Sequence, residues 1–408
     1  MINESPNSIS WYPVFRLFAG LALTTIGSSA MYVVTVVLPE VQAEFGISRA
    51  DASIPYSFVM LGFGLGGIMM GWLADRYGTI VPVFIGAGGL TAGYWLAAQA
   101  TDLMTFSIIH GLLLGLLGSS ATFSPLIADI SVWFNKRRGI AVAICASGNY
   151  LAGTVWPPIV QAWVDQDGWR SAYTNLAWVV LITSAPLALV LWRQAPVLLA
   201  AAAQAASNAP SRVSERPLGF STRQLQNILC VAGIGCCIAM SMPQVHIVAY
   251  CADLGFGPAR GAEMLSLMLG FGILSRLISG MVCDRIGGLR TLLIGSALQG
   301  SALVLFLFFD SLISLYVISA IFGLFQGGLV PAYAIIVREY FPPKEAGFRV
   351  GIVLTSTIVG MALGGWMSGK VFDLTGSYDM AFLHGIAWNV VNFCLIGWLT
   401  LRSKRLFS

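Results

Sequence analysis

Apolar residues in this chain come in stretches of about 20, separated by short polar turns. That is the length an α-helix needs to cross the roughly 30 Å hydrocarbon core of a bilayer. Twelve runs can be drawn, at about 14–38, 54–74, 80–100, 105–128, 139–164, 172–192, 226–250, 264–282, 291–309, 314–336, 347–371 and 381–401. The alternating ten-residue segments of a membrane β-barrel do not occur. The expected fold is therefore an all-α membrane protein of twelve transmembrane helices. The first run is too long for a signal-peptide core and has no cleavage site after it, so it is expected to stay as a span.

The turns repeat. After the second run, GWLADRYG supplies Gly71, Asp75, Arg76 and Gly78; half a chain later, after the eighth, GMVCDRIG supplies Gly280, Asp284, Arg285 and Gly287. Trp133-Phe134 after the fourth run and Tyr340-Phe341 after the tenth make a second pair at nearly the same offset. Two pseudo-symmetric six-helix halves follow, residues 1–194 and 226–408. They are joined by a linker, 195–225, rich in Ala, Ser, Pro and Arg.

Composition agrees with this reading: 57% of residues are hydrophobic and 10% charged, against about 25% charged in soluble domains. If the N-terminus is cytoplasmic, Arg49, Arg170, Arg260 and Lys370 face outward and Arg276 falls within a span. Every other Lys and Arg falls on the cytoplasmic side, which predicts both termini there. That bias accounts for the net charge of +4, and no nucleic-acid partner is needed to explain it. The seven cysteines show no metal-ligand or redox spacing, and no metal or cofactor is expected.

Arg276 is the one charge near the middle of a span. It lies eight residues before Asp284, or about 12 Å up the helix at 1.5 Å per residue. An arginine at that depth costs about 2.5–3.5 kcal/mol even on lenient scales and must face protein or a wet cavity. No Asp or Glu stands at comparable depth, since Asp75, Asp129, Asp284 and Glu339 are at cytoplasmic ends. The missing anion is expected to be the substrate, held by the guanidinium fork, rather than backbone carbonyls alone.

Other polar residues within spans join the candidate list. Tyr32 in the first run, Ser119 and Ser120 in the fourth, Gln244 in the seventh, and Gln326 and Tyr333 in the tenth are candidate substrate contacts. Asn149 in the fifth either makes a helix–helix hydrogen bond or touches substrate. His246 is the one histidine well inside a span; it is either structural or a proton-coupling group. Asp75, Arg76, Asp129, Asp284, Arg285 and Glu339 are expected to gate the cytoplasmic side, with Asp129 pairing Arg76 as a latch rather than carrying a proton.

The two halves, the repeated G-x-x-x-D-R-x-G turn and the central linker resemble the major facilitator superfamily over essentially the whole chain. WFNKRRGIAVAICASGNYLAG after the fourth run and SRLISG in the eighth are similar to the monocarboxylate transporter and oxalate/formate antiporter group. That resemblance implies alternating access, with Arg276 as the arginine that holds the substrate carboxylate. Animal members carry an acid four residues before it and a lysine in the first helix. Here the first position is Gly272, and the first helix has no lysine.

The expected function is secondary transport of a small organic anion, a monocarboxylate, by a monomer in the cell (inner) membrane, surrounded by lipid and with a proton as candidate coupling ion. A facilitator-type exporter of amphipathic compounds is the alternative. An intramembrane enzyme is not expected, because the three histidines are isolated and no nucleophile–base set or metal-ligand spacing exists.

Overall fold

The computed structural model describes residues 11–134, 138–193 and 217–407. Lys136 and Arg137 of the basic loop, and most of the expected linker, lie outside the described residues. The spans are α1 (Tyr12–Val36), α2 (Arg49–Tyr77), α3 (Ile80–Ala97), α4 (Leu103–Trp133), α5 (139–167), α6 (169–192), α7 (Thr222–Asp253), α8 (Pro258–Ile286), α9 (Gly288–Phe308), α10 (Leu312–Tyr340), α11 (Gly347–Thr375) and α12 (Tyr378–Ser403). Helix α5 runs into α6 with a single non-helical residue, Gly168 (φ 79°, ψ 167°), at the corner. The chain is an integral membrane protein with the twelve spans its sequence predicts.

The most buried spans are α1 and α7, followed by α4 and α10. These are the central helices of the two halves. Each repeated turn ends on a glycine in the same backbone conformation, Gly78 at φ 84°, ψ 162° and Gly287 at φ 81°, ψ 163°. That region is essentially closed to residues with a Cβ, which is why the motif ends in glycine.

Several central helices are interrupted within the membrane. Helix α1 breaks at Ser28, between Tyr12–Gly27 and Ser29–Val36. Helix α4 passes through a wide π-helical stretch, His110–Ser119, before resuming at Ser124. Helix α5 breaks at Ser147, and α10 breaks between Gln326 and Leu329. Irregular backbone at this depth is tolerated only where protein or a polar cavity satisfies it.

The halves meet on the side away from the chain ends. Ser57 of α2 donates to the Ala362 carbonyl of α11, and Ser266 of α8 to the Thr154 carbonyl of α5. At the far rim Arg49 is the centre of a clamp. Its guanidinium bonds Tyr378 (2.7 Å) and Asp253 (3.1 Å), and stacks over the Phe372 ring at 5.0 Å. The backbone N–H groups of Arg49 and Ala50 donate to the two oxygens of Asp373, each at 2.9 Å. On the side of the chain ends the halves stand apart. Among the described residues, the hydrogen bonds that join the halves come from Arg49, Ala50, Ser57, Ser266 and Arg276, all at mid-depth or on the far side. The structure is closed on the far side and open on the side of the termini.

This clamp generates a prediction. Arg49→Ala combined with Asp373→Ala removes the charged and backbone contacts at the far rim but leaves the packing of α2 on α11. Maleimide labelling of a Ser57→Cys probe from the far side should then rise severalfold over the same probe in the unaltered clamp. Equal labelling rates would show that the seam is held by apolar packing alone.

Candidate functional site

Arg276 projects from the middle of α8 to the seam with α5. Its Nη1 donates to the Ala146 carbonyl at 3.0 Å, just before the Ser147 break. Its guanidinium carbon lies 4.3 Å from the centroid of the Tyr150 ring. Its Nε is buried with no hydrogen-bond partner. Among the described residues, no ion pair includes Arg276.

Two other arginines show what such an arrangement holds when complete. Arg16 grips Asp129 through Nε (2.6 Å) and Nη2 (2.7 Å), gives Nη1 to Tyr12 and the Arg193 carbonyl, and stacks 4.9 Å from the Trp133 ring. Arg349 grips Glu345 through Nε (2.8 Å) and Nη2 (2.6 Å), gives Nη1 to Gln226, and stacks 5.1 Å from Phe341. In all three, Nη1 bonds a neutral oxygen and a ring covers one face. In two, the Nε/Nη2 edge carries a carboxylate: Asp129 with both oxygens, as a side-on fork, and Glu345 with one oxygen shared by the two nitrogens. Arg276 lacks that carboxylate.

Around it, Tyr32 and Tyr150 are both buried, and Tyr32 is within electrostatic reach of Arg276. The Tyr32 hydroxyl donates to Asn149 Oδ1 at 2.8 Å, and the Asn149 amide reaches Met31 Sδ (3.3 Å) and Ser28 Oγ (3.4 Å). Both halves of the Asn149 amide are therefore taken up by α1, which is the helix–helix alternative. Gln244 donates to Gln326 at 2.9 Å, and Gln326 Nε2 remains buried without a partner. A Cβ built on the next residue, Gly327, would meet the Gly272 carbonyl and Ser275, so the α10 break lies against α8 one turn from Arg276.

Other expected residues stand elsewhere. Ser119 and Ser120 are fully buried, and Ser120 donates to the Leu116 carbonyl while packing under Gly66 of α2. Ser120 thus serves the α2–α4 contact, whereas the Ser119 hydroxyl is buried without a hydrogen-bond partner. The Tyr333 hydroxyl donates to Asn392 (2.7 Å), which bonds Ser296, inside the C-terminal half. His246 is fully buried toward the far side; its Nε2 donates to the Gly365 carbonyl at 2.8 Å, and its Nδ1 has no partner.

The charged turns need one correction. Asp129 pairs with Arg16, not Arg76, and touches the turn only through the Thr79 hydroxyl at 3.3 Å. Arg16 was closer in space because α1 and α4 run side by side to this end. Arg76 instead stacks over Trp72 and Tyr77. In the other half Glu339 accepts the Gly288 backbone N–H with both oxygens, at 3.0 and 3.2 Å. Asp129 and Glu339 thus do parallel work, each holding the start of the helix after its turn. Asp75, Arg76, Asp284 and Arg285 are exposed and make no ion pair among the described residues. The clamp of Arg49, Asp253, Asp373 and Tyr378 was absent from the expected gating residues, and no local motif marks it.

Comparison with known proteins agrees with the fold. The chain is 27% identical to monocarboxylate transporter 13 of Rattus norvegicus over 81% of its own length and 75% of that protein's. It is 24% identical to monocarboxylate transporter 4 of the same species over 94% of its length and 83% of that protein's. Among solved structures, a peptide transporter in complex with sulfate superposes with a TM-score of 0.74 at 15% identity, covering 96% of this chain and 94% of that one. The sequence profile of the Major Facilitator Superfamily matches residues 17–285 and 228–406, and together with the two-halved helical fold this makes the chain a member of that superfamily of membrane transporters, not an enzyme.

Proposed function

We propose that the protein is a secondary transporter of a small organic anion bearing one carboxylate, with Arg276 as the group that holds it. The observation carrying this reading is the Nε of Arg276, buried without a hydrogen-bond partner, set beside Arg16 and Arg349, whose Nε atoms hold Asp129 and Glu345. One unpaired fork accommodates one carboxylate. Tyr32, with Asn149 fixing its hydroxyl, and the Gln244–Gln326 pair complete the polar surroundings of the substrate. Names carried by the relatives support the same substrate class. Ser119, Ser120 and Tyr333 have no part in this reading.

With both termini in the cytoplasm, the open side is cytoplasmic and the Arg49 clamp closes the outer face of the cell (inner) membrane, in which the protein works as a monomer. The exposed turns at Asp75-Arg76 and Asp284-Arg285 then latch the opposite, outward-open state. Asp75→Asn and Asp284→Asn should each raise cytoplasmic labelling of cavity cysteines. If neither changes labelling or transport, the turns have no latching role.

Arg276→Gln is expected to abolish specific uptake of benzoate and propionate at matched expression. Removing one partner of a desolvated charge pair costs about 2–5 kcal/mol, and ~1.4 kcal/mol is already tenfold in affinity. Arg276→Lys should recover little of it, because a point charge cannot reproduce the planar fork. Normal uptake by the Gln variant would remove Arg276 from the site.

A proton, where one is coupled, is proposed to travel on the substrate carboxylate itself as it leaves Arg276, because His246 is buried at the closed outer seam with its Nε2 committed to Gly365. His246→Gln should therefore keep the stimulation of uptake by an inward proton gradient in proteoliposomes. Loss of that stimulation with exchange retained would make the histidine the coupling group.

A further inference from the structure

We propose that Gly272 and Tyr150 form a notch and plug that orients the Arg276 guanidinium and so decides which of its edges an anion meets. The inference rests on reading Arg276 as the carboxylate site. Gly272 stands four residues before Arg276, one turn up the same face of α8. A Cβ placed on it would lie 2.5 and 2.6 Å from Cε1 and Cδ1 of Tyr150. Real Cβ atoms do not approach so closely, so the ring occupies the volume that any side chain at 272 would need. The bare backbone of Gly272 is what lets the ring lie against α8 with the guanidinium 4.3 Å from its centroid.

The consequence is geometric. A guanidinium offers two edges to a carboxylate, Nη1/Nη2 and Nε/Nη2. The Ala146 carbonyl takes Nη1 and blocks the first edge. The Tyr150 ring covers one face and, being buried, shields it from water; a cation on an aromatic face is attracted most where desolvated. What remains is the Nε/Nη2 edge, with Nε already dehydrated and unpartnered. Both positioning groups, Ala146 and Tyr150, belong to the N-terminal half, whereas the cation and its notch belong to the C-terminal half. The oriented edge therefore exists only while α5 and α8 are packed at this depth. Tyr150 and Gly272 are positioning residues that act through Arg276.

A double-mutant cycle on the full-length transporter in proteoliposomes tests this, with labelled benzoate as probe. Variants are first matched for monodisperse elution and thermal stability. Gly272→Ala should raise KM for benzoate about tenfold with Vmax little changed, as coupled contacting sites do. Tyr150→Ala should raise KM similarly, and Tyr150→Phe, which keeps the ring and loses only the hydroxyl's interaction with Arg276, should raise it clearly less. In the Tyr150→Ala background, Gly272→Ala should change KM by less than about twofold, since the plug it displaces is gone. Effects that multiply in the double variant, or a Gly272→Ala variant with unaltered KM, overturn the proposal. Should Gly272→Ala not fold, the contrast between Tyr150→Phe and Tyr150→Ala decides: equal KM values for the two overturn it. Arg276→Gln is the separating control. If it keeps the parent KM, the carboxylate site itself was wrongly assigned; if it loses binding while the cycle is additive, only the notch and plug fail.

Discussion

A guanidinium in the middle of a bilayer has to be surrounded by groups that replace water, and the arrangement around Arg276 follows from that constraint. Lipid offers it nothing, and the cost of leaving it bare is several kcal/mol on most accounts. The chain supplies one backbone carbonyl, Ala146, and one aromatic face, Tyr150. The carbonyl lies just before the Ser147 break in α5, where the helix can turn an oxygen outward without losing two hydrogen bonds. The ring is available because α8 has a glycine one turn away. Helix break, glycine and arginine are thus one device distributed over two helices. Partial satisfaction is its notable property: the charge is comfortable enough to stay in the membrane and still lacks the carboxylate that its counterparts at Arg16 and Arg349 hold.

The same seam explains why binding and movement are linked in this fold. Helices α5 and α8 are joined from Ser266–Thr154 near the far side down to Arg276–Ala146, the last hydrogen bond between them toward the chain ends among the described residues. Arg276 therefore sits at the end of that seam nearer the termini. At the far rim, Arg49 is almost wholly covered whereas its partner Asp253 is 40% exposed. Such a half-exposed pair contributes little by itself. The bonds from Asp373 to two backbone N–H groups and the ring of Phe372 make the clamp more than a surface ion pair. It is a closure that few local changes release, which suits a gate that must alternate.

Much of this was legible in the sequence because it rests on local rules. The glycine that ends each charged turn is required by a backbone conformation that recurs to within a few degrees at Gly78 and Gly287. The isolation of Arg276 could be read from the lack of any acid at its depth. Tertiary choices were not legible. The sequence reading paired Asp129 with Arg76, and only the packing of α1 on α4 selects Arg16 instead. Ser120 reads as a cavity residue, but the π-helical stretch that ends just before it puts its hydroxyl against Gly66 of α2. Arg49, Asp253, Asp373 and Tyr378 come from three separate parts of the chain, so nothing near any one of them announces the clamp.

The broken symmetry of the two halves carries the last step. Gly67 in α2 is the counterpart of Arg276 in α8, and Phe63 is the counterpart of Gly272, since the charged turns fix the register between them. In the N-terminal half the large residue comes first: Phe63 packs on Phe123 with ring centroids 5.6 Å apart, and a Cβ on Gly67 would meet Ser124 Oγ at 3.2 Å. There the surface turns inward, against α4 of the same half. In the C-terminal half the order is reversed, and the small residue leaves room for a ring from the other half, while the large one reaches across to α5. A symmetric pair of arginines would have put two like charges near one cavity, each disfavouring the other. Exchanging large for small at two positions one turn apart gives a single cation instead, and a single cation is what one carboxylate can neutralise.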